Sequence, residues 1–223
     1  MRVVNDSMVV PSPFDENGSW VILGHPLGLG DGFFSRRTAA VEHEIFEYVI
    51  DANDVITHVN PSWKAFAEEN DGGDLAHRVV GSWLWQHLAG MEVKNLFRVL
   101  LERVREAQES VRVPFRCDAP DLRRDMMLEV TPLSDGGLRF SSWTVKASGR
   151  PPVLLLDAKR VSDPDRMLSM CAWCKRIRGG SESWLELEEA VSELGLFRSG
   201  PLPKITHGVC RDCRHQVLQE LGE

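Results

Sequence analysis

The chain has no apolar run long enough to cross a membrane and no recognisable secretory leader. Its 223 residues contain no stretch of about 18 apolar residues, the length that a transmembrane helix needs. The first 20 residues carry Asp6, Asp15 and Glu16 and lack the apolar core of a signal peptide. These absences predict a protein of the cytoplasm that has no membrane partner.

An excess of basic residues is also missing. Lys and Arg total 26 against 33 Asp and Glu, which gives a formal net charge of −7 at pH 7. Proteins that bind nucleic acid through its phosphates are usually basic, so this balance argues against a general nucleic-acid binder.

The sequence lacks the motifs of the common enzyme classes. Gly28, Gly30 and Gly32 follow no strong strand pattern and precede no Lys-Ser or Lys-Thr, so they do not make a phosphate-binding loop. No Ser/His/Asp set and no carboxylate pair stands out. We therefore predict that the protein is not an enzyme.

Cysteine is scarce but strongly patterned. Four of the five cysteines form two pairs, Cys171-Ala-Trp-Cys174 and Cys210-Arg-Asp-Cys213, with 35 residues (175 to 209) between them. Each pair can turn two thiolates onto one ion, and four thiolates make the tetrahedral all-sulfur site that Zn2+ favours. Four unrelated buried thiols, or a dithiol redox pair, are the alternatives.

A fifth candidate ligand, His207, lies three residues before Cys210. Structural zinc is four-coordinate, so one of the five candidates must stand outside the site. The favoured set is the four thiolates, with His207 donating a hydrogen bond to a sulfur; three thiolates plus His207 is the alternative. Four thiolates leave no position for a reactive water, so the predicted site is structural rather than catalytic.

Alternating and helical patterns follow one another between residues 44 and 146. Strands are predicted at 45–50, 55–59, 111–117, 125–131 and 138–145. Asn60 and Pro61 predict a helix start, and residues 91–109 have the clearest helical periodicity. Asp135-Gly136-Gly137 predicts a hairpin before the last strand.

This element order resembles that of a PAS domain. The resemblance is carried by the hairpin from Tyr48 to Asn60, the helix with Trp63 and Phe66, Gly81 before Trp83-Leu84, and the final Gly-Gly hairpin. It implies an α+β fold in which helices flank an antiparallel five-stranded sheet and enclose a cavity. It also implies a sensory or protein-interaction module that is often dimeric and can hold a small-molecule ligand.

The C-terminal residues 167–223 form a second predicted module. Ser183 is expected to cap a helix that runs through Leu194, and Cys210 leads into a last helix whose start supplies two ligands. This arrangement looks like a treble-clef zinc finger. The Cys-x-Trp-Cys-Lys-Arg-Ile-Arg and Thr-His-Gly-x-Cys-x-x-Cys pieces also resemble a C-terminal motif that follows PAS and response-regulator modules in bacterial signalling proteins.

Other ranges are predicted to connect or flank these modules. Residues 1–40 are expected to be an N-terminal arm, because prolines and glycines interrupt every regular period there. The PAS-like domain takes residues 41–147, and residues 148–166 are expected to be a linker. In the C-terminal module, Lys175, Arg176 and Arg178 are expected to lie on a mixed, solvated surface.

No sequence in the PAS-like region indicates a coloured cofactor. The reactive-cysteine run of flavin photosensors and the Cys-x-x-Cys-His motif of c-type haem are both missing. His58, His77 and His87 could ligate haem iron, but surface or capped positions are expected for them. Cys117 is expected to be a structural thiol rather than a chromophore anchor. We expect a colourless protein.

These patterns favour a cytoplasmic bacterial signalling protein, in which a PAS-like sensor or interaction domain is joined to a structural zinc finger and acts through a protein partner. A homodimer is expected, held by the PAS-like sheet and the arm, since Trp20-Val-Ile-Leu23 and Phe33-Phe34 would otherwise form an exposed apolar patch. There are two alternatives. One is a redox switch that releases zinc when its thiolates are oxidised; the other is a transcription-linked regulator whose finger contacts nucleic acid.

Overall fold

The computed structural model describes residues 44–69, 73–157, 162–180, 183–196 and 201–222. The predicted N-terminal arm, 1–40, lies outside this part of the chain. The described residues form two sheets, one of five strands and one of four. No helix among them is long and apolar enough to span a bilayer.

The first sheet is antiparallel, with the strand order β2-β1-β5-β4-β3. Its strands are β1 (Ile45–Ile50), β2 (Ile56–Val59), β3 (Val111–Arg116), β4 (Leu122–Pro132) and β5 (Leu138–Gly149). Between β2 and β3 come α1 (Pro61–Glu69), α2 (Gly73–Arg78), a 3-10 turn (Leu84–Gln86) and α3 (Met91–Ala107). This PAS-like module confirms the predicted α+β class, in which helices flank a five-stranded antiparallel sheet.

Local chemistry explains the first hairpin and the helix that follows it. The Asp51 carboxylate accepts hydrogen bonds from the backbone N–H groups of Asn53 and Val55, at 2.8 and 2.9 Å, which fixes the turn between β1 and β2. The Asn60 side chain accepts from the N–H of Trp63 at 2.8 Å and caps α1 as predicted.

The core of this module lies between the sheet and α3. One face of α3 is buried, and it consists of Val93, Leu96, Phe97, Leu100, Leu101 and Val104. Alternate residues of β1, which are Phe46, Tyr48 and Ile50, are buried on the facing side of the sheet. The 3.6-residue and two-residue periods in the sequence therefore correspond to these two buried faces.

The second sheet has the order β8-β7-β6-β9 and carries both cysteine pairs. Its strands are β6 (Ser162–Cys171), β7 (Ile177–Arg178), β8 (Trp184–Leu185) and β9 (Leu202–Gly208), with α4 (Leu187–Glu193) and α5 (Arg211–Glu220) beside them. Strands β6 and β9 run parallel, whereas β7 pairs antiparallel with both β6 and β8. We call these elements the C-terminal module.

Two local predictions for this half of the chain need correction. The helix predicted from Ser183 begins only at Leu187, because Trp184 and Leu185 form β8 against β7 and the Arg178 guanidinium lies 5.0 Å from the Trp184 ring centroid. The range 148–166, expected to be a linker, includes the end of β5, a 3-10 turn and the start of β6. Its apolar run is structured because Leu155 and Leu156 are fully buried.

The two modules share one hydrophobic core. The Phe97 ring of α3 lies 5.3 Å from the ring of Trp173, which sits between the first two cysteines. The backbone N–H of Arg116 at the end of β3 donates to the Trp173 carbonyl at 2.7 Å. Arg103 of α3 also donates to the carbonyl of Leu221, at 3.0 Å. The C-terminal module is therefore packed directly on α3 and β3.

Candidate metal centre

Four different structural positions bring the paired cysteines together. Cys171 is the last residue of β6, and Cys174 lies in the tight turn that leads to β7. Cys210 is the N-cap of α5, and Cys213 lies in the first turn of that helix. The sequence predicts this convergence from the two Cys-x2-Cys spacings.

The sulfur positions suit a four-coordinate ion. All four Sγ atoms lie within 4.8 Å of one another. The Cys174 and Cys210 sulfurs are 3.7 Å apart. A tetrahedral ion with metal–sulfur bonds of about 2.3 Å has sulfur–sulfur edges of about 3.8 Å, so this pair already has the required separation.

Backbone groups hold the cluster in place. The N–H of Cys210 donates to the Cys171 sulfur, and the N–H of Cys213 donates to the Cys210 sulfur, each at 3.4 Å. The turn itself is closed by the N–H of Lys175 donating to the Cys171 carbonyl at 3.0 Å, and Lys175 has a positive φ of 64°. These hydrogen bonds orient the sulfurs without a bound ion.

Four thiols this close cannot all ionise without a cation among them. Hydrogen bonds from the neighbouring thiols lower the pKa of Cys171. The pKa of Cys213 is raised, because Cys213 shares hydrogen bonds with the other three cysteines. The pKa of Cys210 is also lowered and that of Cys174 is raised, so the cluster resists carrying four negative charges until a divalent ion compensates them. The donor set fits a metal ion.

His207 lies outside the group of four. It is on β9 and is mostly buried, and burial, followed by the charge of Lys175, lowers its pKa to about 4. Among the described residues, the cluster of close metal-binding atoms contains the four cysteines and not this imidazole. His215 is exposed on α5.

The expected surface position of Lys175 is wrong. Its side chain is fully buried, and its ammonium donates to the Ala172 carbonyl at 3.0 Å. Burial lowers its pKa to about 8, while the nearby Cys117, Asp118 and Cys171 act in the opposite direction. The left-handed backbone at Lys175 is part of the cysteine turn. The sequence alone does not show that Lys175, rather than Arg176 or Arg178, is the buried residue.

A chain of ion pairs links the two modules beside the cysteines. Arg116 at the end of β3 binds the fully buried Asp118 and also binds Glu186, at 3.0 Å. Glu186 in turn binds Arg176 at 2.8 Å, and Arg176 binds Asp212 of α5 at 2.7 Å. We call these five residues the interface ion network. Sequence reasoning missed it because its members are far apart in the chain.

A second arginine joins the same network from the end of the first sheet. Arg150 binds Asp118 and Glu188, each at 2.8 Å, and its side chain is only 8% exposed. Asp118 therefore lies between two guanidinium groups, and each of these also reaches a glutamate at the start of α4. A buried carboxylate with two such partners is well compensated, and loss of one of them is costly.

The other candidate residues are spread over the PAS-like module. His58 and His77 are exposed, whereas His87 is buried with its Nε2 atom 2.5 Å from the Ser82 hydroxyl. Cys117 is fully buried, and burial raises its pKa to about 12. Between sheet and helices, the Tyr48 hydroxyl and the Trp63 indole N–H are buried without a hydrogen-bond partner in the described part of the chain.

Three solved structures are similar to part of this chain. A domain of an HTR-like protein from Haloarcula marismortui is 15% identical, with a TM-score of 0.32, over 46% of this chain and 98% of its own. A sensory box sensor histidine kinase from Vibrio cholerae is 11% identical, with a TM-score of 0.33, over 46% of this chain and 82% of its own. For the PAS domain of nitrogen regulation protein NR(II) from Vibrio parahaemolyticus the values are 16%, 0.28, 45% and 89%. No protein-family model and no curated protein matches the chain.

Proposed function

We propose that the chain is a non-enzymatic, cytoplasmic signalling protein of bacterial type, in which a PAS-like sensor or interaction module is fixed to a structural zinc centre. The observation that carries the proposal is the convergence of four cysteine sulfurs at the point where the C-terminal module packs on α3 and β3. A metal at that point would hold together the surface that contacts the PAS-like module.

Zinc is the ion that suits this donor set best. An all-sulfur tetrahedral site favours Zn2+ over hard cations such as Mg2+ and Ca2+, which take oxygen ligands. The proposed ligands are Cys171, Cys174, Cys210 and Cys213. Four thiolates fill the coordination sphere, so the proposed role is to stabilise the module rather than to activate a water. His207 stays outside the ligand set.

The proposed interaction surface is the outer face of the first sheet. Strand register places Ile45, Trp143, Met127 and Pro114 side by side across β1, β5, β4 and β3. We call these residues the outer row. Ile45 is 47% exposed, and the nearby Val145 is 57% exposed. Apolar rows of this kind mark interfaces, and we propose that a second copy of the chain covers it, with the N-terminal arm contributing.

A ligand position is proposed inside the PAS-like module. Tyr48 and Trp63 each bury a polar group that has no hydrogen-bond partner among the described residues. Such a group carries a free-energy cost unless a bound molecule or water meets it. A small molecule that accepts a hydrogen bond from the Trp63 indole would remove that cost. This supports sensing by the PAS-like module, with the signal passed to a protein partner.

Metal analysis of the purified chain tests the zinc centre. We expect one zinc per chain, and loss of zinc from Cys210→Ser, because three remaining thiolates hold the ion poorly and binding supplies on the order of 10 kcal/mol of folding free energy. Cys117→Ser is the matched control and should keep its zinc. His207→Ala should cost less than loss of a cysteine, roughly tenfold or more in affinity.

Full zinc retention by Cys210→Ser would contradict the proposed ligand set. If His207→Ala lost as much zinc as Cys210→Ser did, the site with three thiolates and one imidazole would replace it.

A further inference from the structure

The four cysteines of the cluster differ in their exposure to solvent. Cys171 and Cys210 are 0% and 1% exposed, and Cys213 is 8% exposed. Cys174 alone among them is only partly buried. Cys174 is therefore the residue of the cluster that solvent reaches most readily.

Hydrogen bonding separates the sulfurs in the same way. The sulfurs of Cys171 and Cys210 each accept a backbone N–H, which withdraws electron density from them. Within the described ranges, no backbone N–H donates to the Cys174 sulfur. Its lone pairs are therefore the more nucleophilic, and nucleophilicity together with access decides where a thiolate is oxidised.

A fixed cation lies beside Cys174. The Arg176 guanidinium is held by Glu186 at 2.8 Å and Asp212 at 2.7 Å, and it interacts electrostatically with the Cys174 sulfur. A guanidinium at this position would stabilise the hydroxide that leaves when peroxide is attacked. Reactive cysteines typically combine partial exposure with such a positive neighbour.

We infer that Cys174 is an oxidation site for hydroperoxides and that it forms a disulfide with Cys210. This inference rests on the proposed function, because it assigns a reaction to the ligands of the proposed zinc centre. Cys210 is the inferred partner because its sulfur lies 3.7 Å from that of Cys174, which is within direct contact.

The chemistry is a balanced two-electron oxidation. The Cys174 thiolate attacks one peroxide oxygen, an S–O bond forms, the O–O bond breaks and hydroxide leaves. The Cys210 thiolate then attacks the Cys174 sulfur, an S–S bond forms, the S–O bond breaks and a second hydroxide leaves. Two thiolates supply the two electrons that the peroxide accepts. Only Cys171 and Cys213 then remain to hold the ion, and the chain releases it.

Peptide mapping identifies the disulfide directly. Trypsin places Cys210 in the peptide 205–211 and Cys213 in the peptide 212–214, because Arg211 lies between them. Chymotrypsin cleaves after Trp173 and so separates Cys171 from Cys174. The experiment treats the full-length protein with up to one equivalent of hydrogen peroxide, blocks remaining thiols, and quantifies cross-linked peptides while a chromophoric chelator reports released zinc.

We expect the Cys174–Cys210 cross-link to be about tenfold more abundant than any other and to form in step with zinc release. Arg176→Met should slow its formation several-fold, whereas Arg178→Met, which removes an exposed neighbouring charge, should not. Cys117→Ser should behave as the unmodified protein, because Cys117 is fully buried.

A first disulfide between any other pair overturns the inference, as does zinc release without a cross-link. The zinc content of the untreated protein tests the proposed zinc centre separately. If it contains no zinc but still forms the Cys174–Cys210 bond first, the zinc centre is contradicted and the oxidation site is supported. If it contains zinc and cross-links elsewhere, the oxidation site alone is wrong.

Discussion

His207 is a neutral imidazole enclosed between the two modules, and that makes it a source of acid sensitivity. Its ring faces Lys175 and Cys171, and burial is the main cause of its low pKa of about 4. An ordinary unfolded histidine has a pKa of about 6.5, so the unfolded chain binds more protons than the folded chain between these two values. The stability that neutral His207 contributes is therefore complete above pH 6.5 and is lost as the pH falls toward 4.

The lowered pKa of His207 makes the unfolding free energy depend measurably on pH. Lowering the pH from 7.5 to 4.5 should cost up to about 3 kcal/mol of unfolding free energy through this residue. Urea unfolding at both pH values measures it, with zinc content determined in parallel so that ligand protonation is recognised. His207→Gln should lose less stability over the same pH range than the unmodified chain. Equal losses in both proteins would show that His207 does not titrate in this way.

At the same scale, the sequence predicts the metal site better than its surroundings. Spacing alone identifies Cys171, Cys174, Cys210 and Cys213, because two Cys-x2-Cys turns restrict where the sulfurs can go. The burial of Lys175 cannot be predicted, since it depends on a left-handed backbone and on packing against a strand more than 50 residues away. The interface ion network is equally invisible, because charged residues are common and their pairing is set by the fold.

Among the elements, the start of α3 and strand β9 lie in close contact. Gly90 precedes α3 with a φ of 86°, and a Cβ atom there would collide with the main-chain oxygen of His207. The first turn of α3 also contacts the residue that follows β9. The Glu92 carboxylate accepts a hydrogen bond from the N–H of Val209 at 3.0 Å. The two modules therefore meet backbone to backbone at this place.

Substitution of Gly90 should lower the unfolding free energy both through its positive φ and through the collision with His207, and a control variant can separate these two effects. Gly90→Ala combines a strained φ with a main-chain collision, and we expect it to lose about 3 kcal/mol or more of unfolding free energy. Gly81 has a similar φ of 88° but nothing within 4 Å of its Cβ position, so Gly81→Ala should lose only about 1 kcal/mol. Urea unfolding of both variants tests this, and equal losses would mean that the contact with His207 gives way easily.

Element prediction succeeds where the pattern is local. Strands β1 to β5 and α3 follow from alternation, helical period and turn residues such as Asn60 and Gly136, and all are present. Strand β6 is not predicted, because its main partner is the parallel strand β9, about 40 residues later, and no hairpin turn in the sequence indicates the pairing. Strand β8 has only two residues, too few for a period, and its sequence reads equally well as the start of a helix.

For the whole molecule, the shared core predicts that the proposed zinc would stabilise the PAS-like module as well as the C-terminal module. Trp173 lies between Cys171 and Cys174 and packs on Phe97 of α3, so loss of the metal should loosen α3. Hydrogen exchange of the amides in α3 should therefore accelerate in Cys210→Ser. Cys117→Ser serves as the control. Unchanged exchange in α3 would show that the modules fold independently.

The outer row predicts the assembly state. Trp143→Glu places a carboxylate in the centre of the row, and we expect the proposed dimer to dissociate to monomers. Burying a carboxylate in an interface is costly, and Arg112, whose guanidinium lies 5.8 Å from the Trp143 ring centroid, is already paired with Glu129. The control is Trp83→Glu, since Trp83 is 50% exposed and lies beside Val55, outside the outer row. Light scattering at micromolar concentration distinguishes the two variants. A monomeric unmodified protein, or a dimeric Trp143→Glu, would contradict the proposed interface.

The bond from the Arg116 N–H to the Trp173 carbonyl has a further consequence for solubility. Strand β3 is the last strand of its sheet, and the unsatisfied backbone groups of an edge strand are a template for pairing with other chains. The cysteine turn occupies one of these groups, and Pro114 in the same strand has no N–H to offer. The folded cysteine turn thus also protects the sheet edge, and a chain whose cysteine turn has unfolded would present a strand on which aggregation can begin.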